Sequence, residues 1–200
     1  MRIFLLLFLI TNAGLSFAGP RVVGNGFMKT QERTLSDMEK DFKRAKNENE
    51  KFDLLIEMVT KYSSESYVLK KADIEKVKTQ ANLLLKLSKK YVKDERYGKA
   101  LHHANLALGR ISLYMKNLKA AERYLWAASK MKVSTEMKAS GPNMTLAKEL
   151  LKEGSREAVV QFIRQSSNWW EGEEAQMKMN DWKKTIDEGG IPEFKDNLEN

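Results

Sequence analysis

The sequence predicts an all-α fold of antiparallel helical hairpins stacked as an array or bundle. Three observations predict it. Apolar residues return at steps of three and four along most of the chain, no segment shows convincing period-two alternation, and the 200 residues include only three prolines. Cysteine is absent, so packing alone must hold the fold.

The N-terminus reads as an export signal. Arg2 precedes the apolar run IFLLLFLI, and small residues at Ser16 and Ala18 flank Phe17, which predicts a signal peptide over residues 1–18 cleaved before Gly19. Polarity returns at Thr11-Asn12, too early for a membrane anchor, and no later stretch is apolar enough to span a bilayer. Residues 19–35, with Gly19, Pro20, Gly24 and Gly26, form a flexible lead-in. A single helical domain then covers 36–198, with hairpins over 36–132 and a helical cap over 140–198.

The elements follow from their local chemistry. Ser36 with Glu39 makes a capping box, and Met38, Phe42, Ala45, Asn49, Phe52, Ile56 and Val59 form one stripe, predicting one helix from 36 to about 60. After the break Ser63-Ser64-Glu65-Ser66, a second stripe runs Ile74, Val77, Ala81, Leu84, Ser88 and Tyr91. A third runs Tyr97, Leu101, Ala104, Leu108, Ile111 and Met115, and a fourth helix over 118–132 turns Ala121, Tyr124, Leu125, Ala128 and Met131 inward. Short breaks between them predict antiparallel neighbours. Residues 133–142 read as a looser connection, with Gly141-Pro142 opening a short helix that Gly154 stops. Ser155 caps the next, and a last helix near 174–188 ends at Gly189-Gly190, before Pro192.

The net charge of +8 is unevenly spread: +1 over 1–39, +5 over 40–96, +6 over 97–138 and −4 over 139–200. A basic middle attracts anionic partners in general. At 100° per residue Lys99, His103, Leu106 and Arg110 share one side of their helix, opposite the apolar stripe. The next helix repeats the arrangement with Lys119, Arg123, Trp126 and Lys130. These eight residues are the candidate binding face, in which cations supply attraction and Leu106 and Trp126 apolar grip.

Tyr97-x-x-Ala100-x-x-x-Ala104-x-x-Ala107-Leu108 resembles the second helix of a tetratricopeptide repeat, and Asn117-x-x-Ala120-x-x-x-Tyr124-x-x-Ala127-Ala128 is similar. Their 20-residue offset departs from the family's 34-residue period. A single unit fits better with 102–115 as first helix and 118–132 as second. The resemblance implies helical-repeat packing over about 70–132 and no particular ligand. Residues 140–198, with SGPNMTLAKELLKEGSREAVVQFIRQSSNWW and GGIPEF, resemble a C-terminal segment of uncharacterised exported bacterial proteins, which implies a periplasmic or secreted address.

Catalytic and metal signatures are missing. Adjacent His102 and His103 diverge by about 100°, whereas a helical metal site needs ligands four apart. There is no HExxH, no cysteine nucleophile and no nucleophile elbow, and Gly24-Asn25-Gly26 lacks the context of a phosphate loop. Neither a metal nor another cofactor is expected. Trp169, Trp170 and Trp182 read as core closing the helical array, and Trp126 as covered by the 143–170 hairpin. The sequence therefore predicts an exported, non-enzymatic interaction module for an anionic peptide or polymer, with chromosomal nucleic acid excluded by its address. The rivals are an envelope assembly component that self-associates through tryptophans and a carbohydrate hydrolase.

Overall fold

Capping chemistry sets the first elements, and it differs from the expected pattern. The computed structural model describes residues 33–131 and 133–199; the expected signal peptide over 1–18 and nearly all of the expected lead-in over 19–35 lie outside them. Helix α1 (Leu35–Arg44) starts two residues before the Ser36–Glu39 box can act, because Thr34 accepts a hydrogen bond from the Asp37 amide. The single helix expected from 36 to about 60 is two. Asn47 accepts from the Glu50 amide while the Glu50 carboxylate accepts from the Lys46 amide, and these local bonds restart the chain as α2 (Glu48–Ser63). Periodicity survived the break because Met38, Phe52 and Val59 still face one core, whereas Asn49 is exposed and accepts from Arg96.

A short 3-10 turn, Lys71–Asp73, leads into α3 (Ile74–Ser88), followed by α4 (Arg96–Tyr114) and α5 (Leu118–Ser129). Asn117 caps α5 by accepting from the Ala120 amide, so two helices separated by three residues fold back on each other. The expected loose connection contains α6 (Thr135–Ser140), capped by Ser134. Pro142 does not open the next helix: its carbonyl accepts from Asn197, and α7 (Thr145–Lys152) begins three residues later. α8 (Arg156–Ser166), α9 (Glu173–Asp187) and a 3-10 turn at Lys195–Leu198 complete the chain. Among the described residues there is no strand, and the protein is all-helical. No described helix is long and apolar enough to cross a membrane.

Two apolar cores lie on either side of α4. Ala100, Ala104, Ala107, Leu108 and Ile111 pack with Phe52, Met58, Val77 and Leu84 from α2 and α3. Leu106, from the other side of the same helix, packs with Leu125, Leu146, Phe162 and the tryptophans. Trp169, Trp170 and Trp182 are buried, with Trp170 stacked on Trp182 at 5.5 Å and Phe194 edge-on to Trp182 at 5.0 Å. Gly141 must be glycine here: its φ of +81° is left-handed, and a Cβ would run into the Trp170 ring.

Gly109 tests how tightly α4 is gripped. Alanine in a helix interior ordinarily stabilises by about 0.5–1 kcal/mol over glycine. Here the added Cβ would collide with buried Leu146 and press on Tyr124. Overpacking outweighs propensity, so Gly109→Ala should lower the free energy of urea unfolding by about 1–2 kcal/mol; a gain in stability would contradict this packing.

Candidate functional site

The eight residues of the expected face separate into two groups, because α4 is covered on both sides and α5 is not. On α4, Leu106 is fully buried in the C-terminal core. His103 is buried and its Nδ1 lies 2.8 Å from Ser63 Oγ. Ser63 Oγ donates to the Thr60 carbonyl, so His103 Nδ1 donates to the serine. Lys99 is partly exposed and paired with Glu136 at 2.7 Å. These positions form no open surface.

Arg110 is the strongest correction. Its side chain is 8% exposed. Nη1 donates to the carbonyls of Tyr62 and Ser64, Nη2 to the Tyr67 carbonyl and to Glu149, and Nε to Glu149. The guanidinium is saturated by the C-terminal end of α2, the loop behind it and a carboxylate of α7. It has nothing left with which to recognise a partner. Reversing its charge would strike the fold rather than binding. Arg110→Met removes these donors from Glu149 and from three carbonyls, the Ser64 carbonyl keeping the Tyr67 amide at 3.3 Å, and should cost about 2–4 kcal/mol in urea unfolding.

His102, outside the expected face, holds three segments together. Its Nε2 accepts from the Asn143 amide at 3.0 Å, so Nδ1 carries the proton and donates to the Ala128 carbonyl at 2.9 Å. Asn143 is fully buried and accepts from the Thr145 amide. Burial pulls the His102 imidazole from 6.5 down to about 4, against the opposing pull of the Ala128 carbonyl. His103 is lowered as well, by burial first and then by His102 and Lys99. Among the described residues, no group of three His, Asp or Glu side chains could hold a metal ion.

On α5 the remaining stripe is open. Lys119, Arg123, Trp126 and Lys130 are all exposed. Trp126 is 39% exposed rather than covered by the 143–170 hairpin, and Lys130 Nζ sits 4.3 Å from its ring centroid. Lys119 pairs with Glu122 within its own helix, while Arg123 and Lys130 have no ion-pair partner among the described residues. Beside this ridge a groove of about 520 Å³ separates α5 from the start of α8, lined by Arg123, Trp126, Gly154, Glu157 and Gln161. Lys119 also lines it. The arrangement presents cations and an aromatic face to solvent along one helix.

Sequence reasoning missed the C-terminal seam. The Leu198 carbonyl accepts from the Glu65 amide and from Thr145 Oγ1, the Glu199 carboxylate accepts from the amide and hydroxyl of Ser66, and Asn197 donates to the Ser140 and Pro142 carbonyls. No periodic pattern marks such contacts; only the polar residues around Asn143 and Asn197 hint at them.

The neutral histidines predict acid sensitivity. Between pH 6.5 and about 4 the unfolded chain takes up a proton that folded His102 refuses, so this stability is complete above 6.5 and declines as pH falls. Urea midpoints of wild type should drop between pH 7 and pH 5 more steeply than those of His102→Gln; parallel slopes would refute the assignment. Compared with known protein families, curated proteins and solved structures, the chain matches none.

Proposed function

We propose that this protein is an exported, non-enzymatic interaction module, a tetratricopeptide-like helical array whose α5 ridge binds an acidic polypeptide. The observation that carries this reading is the pairing of an exposed tryptophan with cations that form no ion pair among the described residues: Trp126 under Lys130, with Arg123 beside it. A charge held ready on a rigid helix costs little to reorganise on binding, and an aromatic at its centre supplies apolar area where a chain lies across it. The face is narrower than the eight residues that the sequence suggests, because α4 contributes only the half-buried Lys99, already paired. Export rests on the signal-like N-terminus and on the resemblance of residues 140–198 to exported bacterial proteins. The rival reading, assembly through several exposed tryptophans, loses three of its four residues to the core. A tryptophan-mediated contact between copies has only Trp126 exposed among the described residues.

Poly-L-glutamate is a direct probe. Titrated against Trp fluorescence at about 0.1 M salt, it should bind wild type and be released as salt rises and screens the exposed charges. Arg123→Glu with Lys130→Glu should weaken binding at least about tenfold with an unchanged thermal midpoint. Equal affinity in the double variant would remove the proposal.

A further inference from the structure

The chain carries a second exposed ridge whose pattern complements the first. On α9, Glu173, Met177 and Asp181, with Glu188 at its C-cap, fall within an arc of about 80° on the helix circumference, and all four are exposed. Met177 is 66% exposed, among the most exposed large apolar side chains described. Glu173, Asp181 and Glu188 form no ion pair with another described residue. Lys184 is the one cation in this stripe. The wider composition agrees, since residues 139–200 carry −4 where residues 97–138 carry +6.

We propose that the acidic partner of the α5 ridge is the α9 ridge of a second copy of this chain. The proposal rests on the reading of α5 as a binding ridge. Both ridges place one apolar residue between two charges: Arg123, Trp126 and Lys130 span about 10 Å along α5, and Glu173, Met177 and Asp181 about 12 Å along α9. With Met177 seated on the Trp126 ring, a favourable sulfur–aromatic contact, the charges match in either direction. An antiparallel approach sets Arg123 against Asp181 and Lys130 against Glu173; a parallel one exchanges the two carboxylates. Within one molecule α8 packs against both α5 and α9, and each ridge faces outward. The contact is thus between unlike surfaces, so copies join head to tail. The positive net charge of each copy opposes association, but at about 0.1 M salt that repulsion is screened beyond roughly 10 Å while pairs in contact are not.

Two exposed double variants test this, each checked for folding by its thermal midpoint. Arg123→Ala with Lys130→Ala removes the basic ridge, and Glu173→Ala with Asp181→Ala removes the acidic one. Sedimentation velocity at about 0.1 M salt should show wild type growing in size with concentration and each variant associating at least about tenfold more weakly. An equimolar mixture of the two retains one good ridge on each partner, so it should form 1:1 dimers and nothing larger. The proposal is overturned if wild type is a concentration-independent monomer, if either variant associates like wild type, or if the mixture fails to dimerise. A monomeric wild type that still binds poly-L-glutamate, with loss in Arg123→Ala/Lys130→Ala, would overturn self-recognition while leaving the ridge reading intact. Failure of both would remove both.

Discussion

A guanidinium without water has to find acceptors for five N–H groups, and Arg110 finds all of them in two stretches distant from it in sequence, residues 62–67 and Glu149. It takes carbonyls from Tyr62, Ser64 and Tyr67, at the point where α2 leaves its last turn without intrahelical partners, and a carboxylate from Glu149 on α7. A helix C-terminus carries partial negative charge, so the buried cation and the exposed carbonyls satisfy each other. Glu149 completes the neutralisation that a charge in this position requires. The N-terminal hairpins and the C-terminal helices are joined here by polar contacts as well as by apolar packing.

The same junction is reinforced from its other side. Glu65 and Ser66, between the Ser64 and Tyr67 carbonyls that Arg110 holds, bond to Leu198 and Glu199 at the far end of the chain. Asn143 and Thr145 reach the same Leu198 carbonyl, and the Asn143 amide is held by His102. Buried polar groups in such a network are specific because each unpaired member would carry a desolvation penalty. The network fixes how α4 meets the segment 140–145, and with it which side of α4 is covered.

That covering decides where recognition can occur. α4 is the shared wall of two cores, so its polar stripe is consumed by structure. α5 contributes Ala121, Leu125 and Ala128 to one core and the partly buried Tyr124 to the edge of the other, and its opposite side keeps Lys119, Arg123, Trp126 and Lys130 in solvent. α9 is placed alike, with Ala175, Met179, Trp182 and Ile186 inward and Met177 outward. Two peripheral helices of opposite charge, each with an apolar residue exposed amid its charges, are what remains after the interior has taken its share.

The helical class was legible because it depends on local periodicity: the stripes at Ile74 to Leu84 and at Ala104 to Ile111 bury the residues that the spacing selects. Helix ends were less so. The stripe through Asn49 continued unbroken across a boundary that Asn47 and Glu50 create with two local hydrogen bonds. For the site, the sequence could establish which residues share one side of one helix, since 100° per residue is a property of the helix alone. It could not establish what lies over that side. Arg110 and Arg123 are indistinguishable by local pattern, and one is buried under α7 while the other faces water. Burial is set by contacts between segments far apart in the chain, and only the tertiary structure decided them.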